Sequence, residues 1–183
     1  MPPKQPHQIV VAFLLRLLGQ FIELFRLDCL RSVPFEMRAI PEGPAREPDL
    51  LFVAREHLDR LTEARLSGPA DLVVEVISDD SVAWDRADKF YEYQAAGVQE
   101  YWILDPRPGC TRADFYVLDG QDRYRSAPVN PDGRYYSTVL ADFWLQVDWI
   151  WATEPPAVLQ ALTQIVGPQK LLEAIEEGVA QGA

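Results

Sequence analysis

Six consecutive residues, Leu72-Val73-Val74-Glu75-Val76-Ile77, constrain this chain more than any other stretch. They are apolar at odd and even positions alike, with a single glutamate as the exception. Side chains of a strand alternate between its two faces, so such a run predicts a strand covered on both sides. A carboxylate buried there is costly unless something binds it. The surrounding stretch, Gly68 to Asp105, reads as strand, helix, strand. Its helix is expected from about Ser81 or Val82 to Ala96, with Asp80 or Ser81 as N-cap and Gly97 as the stop, followed by a strand over Glu100–Asp105.

The chain has 183 residues, 48% of them hydrophobic, which suffices for one domain with a sizeable core, and it shows no internal repeat. Residues 1–183 are therefore expected to form a single domain, with 1–6 as a frayed tail and 155–183 as a helical C-terminal extension. Two cysteines, Cys29 and Cys110, and two histidines, His7 and His57, are too few for a disulfide framework or a Cys/His metal site, and point to a reducing compartment. The apolar run from Ile9 is broken by Arg16, Gln20, Glu23 and Arg26, which predicts a cytoplasmic chain outside the membrane. Net charge is −11, yet residues 1–40 carry five basic side chains against three acids. The acidic remainder repels a polyanion at long range, which opposes general nucleic-acid binding but not a cleft whose acids hold a divalent cation.

His7 to Leu27 has helical periodicity with a narrow polar stripe, so a sheet is expected on one side and the second subunit of a homodimer on the other, although a core helix of a monomer fits the same pattern. Strands are expected over Ser32–Ile40 and Asp49–Val53, then a loop with a helical turn over Arg55–Arg65. After Asp105 the segments Asp114–Leu118, Arg123–Ala127, Tyr135–Leu140 and Trp144–Val147 alternate with turn signals and read as an antiparallel meander. Helices over Ala157–Val166 and Lys170–Ala180 close the chain. The class is α/β (α+β), a mixed sheet core flanked by helices.

Three residues offer chemistry. Asp49 opens one predicted strand, Glu75 lies inside another, and Lys89 sits in the helix that follows. If the two strands adjoin in suitable register, both carboxylates can face one hard cation, Mg²⁺ or Mn²⁺, which prefers oxygen ligands. Such an ion stabilises charge on a phosphodiester oxygen, and a nearby ammonium helps neutralise the transition state. Each residue also has a plainer role: Glu75 as a buried acid paired with an arginine, Asp49 as a turn residue after proline, Lys89 as a solvated position paired with Asp85. The aromatic side chains, Tyr93, Tyr101 and Trp102 among them, suit base stacking or core packing.

The ordered set Pro48-Asp49, Asp71 through Glu75 to Ser78, Asp85-Arg86 with Lys89, Tyr93, Gly97-Val98, Glu100-Tyr101-Trp102 and Asp105-Pro106 resembles the Uma-two family of restriction-endonuclease-like proteins, within the PD-(D/E)xK nuclease superfamily. The resemblance runs from roughly His7 to Trp151. It implies a restriction-endonuclease-like core, Asp49 and Glu75 as ligands of Mg²⁺ or Mn²⁺, and Lys89 as a catalytic lysine displaced into the helix, because Ile77 occupies the usual lysine position. Asp71, Arg86 and Tyr93 are expected to support the site, Arg86 by contacting phosphate. Two features depart from the pattern: Ala70 precedes Asp71 where proline is usual, and the chain starts almost at the long helix, without the usual leading hairpin, so an uncovered first strand edge is expected.

The expected function is metal-dependent hydrolysis of DNA by an endonuclease. A nuclease-fold protein of weak or no activity, acting as a binding or assembly module, is the alternative, and hydrolysis of a small molecule has only the acids in its favour.

Overall fold

A computed structural model describes residues 5–78 and 87–181. Helix α1 (Gln5–Leu24) leads into strands β1 (Asp28–Ser32), β2 (Glu36–Arg38) and β3 (Leu50–Ala54), a 3₁₀ turn (Arg55–Arg60), β4 (Arg65–Ser67) and β5 (Leu72–Val76). Then follow α2 (Lys89–Ala96), β6 (Glu100–Asp105), β7 (Arg112–Leu118), β8 (Tyr124–Ser126), β9 (Arg134–Tyr136), β10 (Trp144–Gln146), α3 (Asp148–Trp151), α4 (Val158–Val166) and α5 (Pro168–Gln181). Six strands form one mixed sheet in the order β1-β3-β5-β6-β7-β8. Strands β5 and β6 run parallel, joined by the crossover that contains α2, while the other neighbours are antiparallel.

The apolar run around Glu75 occupies the place its composition demands. All five residues of β5 are buried, and their parity divides the core in two. Leu72, Val74 and Val76 face a larger core with Leu50, Phe52, Trp102 and Leu104, while Val73 and Ile77 face a smaller one with Leu51, Val53, Tyr101 and Ile103. Helix α1 covers the larger core with Val10, Phe13, Leu14, Leu17, Leu18, Phe21 and Ile22, the spacing of one helical face. It is long and apolar enough to cross a membrane, but this face packs on the sheet, and α4 and α5 of the same chain lie against the helix as well. Helix α2 closes the smaller core with Tyr93 and ends at Gly97, whose φ of 86° is the left-handed conformation of a C-terminal stop. The expected start of this helix, with Asp80 or Ser81 as N-cap, lies outside the described residues.

Two expectations are revised. The strand expected over Ser32–Ile40 shortens to β2, Glu36–Arg38, because Pro34 lacks the N–H needed to extend a ladder; β2 lies outside the main sheet and pairs with β4, and the unexpected β1, ending at Ser32, pairs with β3. The meander also divides: β7 and β8 extend the main sheet, and β9 pairs with β10 apart from it. The expected strand over Tyr135–Leu140 stops at Tyr136 because the N–H groups of Thr138 and Val139 donate to the Glu100 carboxylate, at 2.8 and 3.1 Å, rather than to a neighbouring strand.

Candidate active site

Glu75 is 3% exposed and faces α2, the side of Val73 and Ile77. The helix answers it twice. Lys89 Nζ lies 2.9 Å from Glu75 Oε1, and the Tyr93 hydroxyl donates to the same oxygen at 3.0 Å. Lys89 and Tyr93 are four residues apart, hence neighbours on one helix face, and the left-handed stop at Gly97 ends the helix one turn after Tyr93. Tyr93 is itself fully buried, edge-on to Tyr101. Burial first, and the neighbouring Glu75 carboxylate second, hold its phenol well above the ordinary value near 10, so it remains a donor. Glu75 thus pairs with the lysine of α2, and Lys89 points inward.

Asp49 lies just before β3. The β3–β5 ladder runs from Leu50 opposite Val74 to Phe52 opposite Leu72, so Asp49 stands one residue outside it, at the end of β5 that carries Glu75. Past the last backbone pair of this ladder, Asp49 Oδ2 accepts the Val76 N–H at 2.8 Å. Asp49 Oδ1 lies 3.2 Å from Nε2 of His7, in the first turns of α1. The sequence placed Asp49 and Glu75 on separate strands; the topology makes those strands neighbours.

The supporting residues divide. Tyr93 joins the site and Arg86 lies outside the described residues. Asp71 is four residues from Glu75, about 13 Å along the strand. There it accepts the Ala54 N–H at 2.7 Å and meets His57 Nδ1 at 2.7 Å, tying the 3₁₀ turn to the head of β5. Two features escaped the sequence reading. His7 reaches Asp49 only through the folding of α1 across the sheet. Asp105, 2% exposed at the end of β6, holds Arg107 through both carboxylate oxygens at 2.9 Å; the signal was an acid-Pro-Arg turn beside the central strand.

The resemblance implies a divalent cation, and the donors present agree with one in kind: Asp49 and Glu75 are buried carboxylates, the hard oxygen donors such an ion prefers. No group of three or more His, Cys, Asp or Glu side chains that could hold a metal ion occurs among the described residues.

The solved chain titled a "putative nuclease belonging to DUF820" from Anabaena variabilis shares the fold with a TM-score of 0.62 over 82% of this chain and 83% of its own, at 13% identity. A comparison with curated proteins finds no match. The profile of the Uma2 family, described as "Putative restriction endonuclease", matches residues 1–148. Because that match takes in most of the chain, including Asp49, Glu75, Lys89 and Tyr93, the protein belongs to the Uma2 family and carries its nuclease-like fold.

Proposed function

We propose that the protein is a divalent-cation-dependent endonuclease that hydrolyses DNA phosphodiester bonds at the site built on β3, β5 and α2. Asp49 and Glu75 would hold the cation, Mg²⁺ or Mn²⁺. When bound, that ion supplies charge stabilisation at a phosphodiester oxygen. Lys89, anchored 2.9 Å from Glu75, places an ammonium beside the carboxylates, where it orients the attacking water or offsets the charge that builds on the phosphate. Tyr93 fixes the rotamer of Glu75, and the Val76 N–H fixes Asp49. The observation that carries the reading is that β3 and β5 are neighbours, with Asp49 bonded to the Val76 N–H beside Glu75 and Lys89 turned onto Glu75.

The test is cleavage of supercoiled plasmid and of single-stranded DNA with MgCl₂ or MnCl₂, beside Glu75→Ala and Lys89→Met. Nicking by the natural chain that falls at least about a hundredfold in Glu75→Ala supports the reading. Equal cleavage by both proteins, or none by either, overturns it. The Lys89–Glu75 ion pair favours one second reading. A cation must compete with the ammonium for this carboxylate, so a weakly active or inactive nuclease-fold binding module is the other outcome. Calorimetric titration with MnCl₂ separates the two, since heat that Asp49→Asn abolishes argues against a dead site.

A further inference from the structure

Each of the chain's two histidines meets a buried aspartate, and the two pairs stand at opposite ends of the same strands. His57 Nδ1 lies 2.7 Å from Asp71 Oδ1, at the head of β5. His7 Nε2 lies 3.2 Å from Asp49 Oδ1, at the end of β5 that carries Glu75. Their surroundings differ. Asp71 turns its second oxygen to the Ala54 N–H at the 3₁₀ turn, so that pair ties one piece of backbone to another. Asp49 turns its second oxygen to the Val76 N–H, next to Glu75, and lines an open groove with His7, Val11, Val33 and Ser78. Nε2 of His7 thus lies within ion-pair distance of a carboxylate oxygen.

We propose that His7 is a positioning residue of the cation site: its Nε2 and the Val76 N–H meet the two oxygens of Asp49 and fix where that carboxylate stands at the end of β5 that carries Glu75. The contact spans 42 positions of sequence, and its rigidity comes from α1, whose Val10, Phe13 and Leu14 are buried in the larger core directly after His7. Partners that orient a ligating carboxylate commonly change metal affinity by about 10- to 100-fold when removed. The inference rests on the proposed cation site at Asp49 and Glu75.

The test is calorimetric titration of MnCl₂ into the natural chain and into His7→Ala, His7→Asn, His7→Gln and His57→Ala, with thermal unfolding of each. A glutamine amide nitrogen occupies nearly the position of Nε2, whereas that of asparagine falls short. His7→Ala and His7→Asn are expected to bind Mn²⁺ about 10- to 100-fold more weakly, with His7→Gln within about threefold of the natural chain and His57→Ala unchanged. If His7→Ala does not fold, His7→Asn stands in for it. Unaltered binding by His7→Ala or His7→Asn overturns the inference and leaves the cation site standing. So does a loss in His7→Gln as large as in the alanine variant, which would make the ring itself, rather than a polar nitrogen at the position of Nε2, the requirement. No binding by the natural chain overturns the cation site and this inference with it.

Discussion

Replacing Lys89 by methionine keeps the length and apolar stem of the side chain and removes its charge, and with it the ion pair with Glu75. At 2.9 Å and an effective dielectric constant of about 20, the attraction is about 6 kcal/mol before the cost of drying either group. Removing one partner of a buried pair typically costs about 3–5 kcal/mol, because the other charge stays behind uncompensated. The lysine side chain is 16% exposed, and the Tyr93 hydroxyl still donates to Glu75; both place the expected loss at the lower end, about 3 kcal/mol. With a urea dependence of about 2 kcal/mol per molar, the unfolding midpoint falls by about 1.5 M. Urea titration at neutral pH without divalent ions, followed by tryptophan fluorescence, measures it. Glu75→Gln combined with Lys89→Met is expected to recover about 2 kcal/mol, since a neutral amide needs no countercharge. A midpoint within 0.2 M of the natural chain, or a double variant no more stable than Lys89→Met, would refute the idea that Glu75 is held by this lysine.

Glu100→Gln is expected to cost about 2–3 kcal/mol in the same assay: Glu100 is fully buried and its carboxylate accepts from Trp102, Tyr135, Ser137, Thr138 and Val139, so an amide NH₂ in either orientation opposes at least one buried donor. A change under about 0.5 kcal/mol would count against it. Burial, the leading cause in each case, also pushes the phenols of Tyr93, Tyr124 and Tyr135 above their ordinary value. The unfolded chain therefore releases these protons first, so stability is full below about pH 10 and falls as pH rises further, by about 1.4 kcal/mol per pH unit for each tyrosine. Tyr93→Phe should flatten the alkaline slope by one such increment, and an unchanged slope in that variant would exclude Tyr93 from the effect.

The chain announced its central strand because burial on both faces leaves a mark at every position: Leu72 to Val76 cannot be read as half-exposed. Glu75 was conspicuous for the same reason, and Gly97 was legible because a left-handed stop favours one residue type. What escaped was contact between distant segments. Nothing local to His7 names Asp49, and nothing near Ser137 reveals that its neighbours turn towards Glu100 instead of extending a strand. Periodicity reports which face of an element is apolar; it is silent on which polar side chain meets another across 42 or 38 positions. Lys89 was found because its helix follows its carboxylate directly, so sequence proximity and spatial proximity coincide.

The two buried glutamates, Glu75 on β5 and Glu100 on β6, sit on adjacent strands and look to opposite faces. Glu100 is met partly by backbone N–H groups of the Thr138–Val139 turn, which can withdraw only if the chain there unfolds. Glu75 is met by a lysine and a tyrosine side chain, and the partly exposed lysine can rotate away without disturbing the sheet. A carboxylate fastened by main chain is a permanent fixture, whereas one fastened by side chains is a berth whose occupant can be exchanged. On that distinction, an incoming cation has a vacancy to win at Glu75 and none at Glu100.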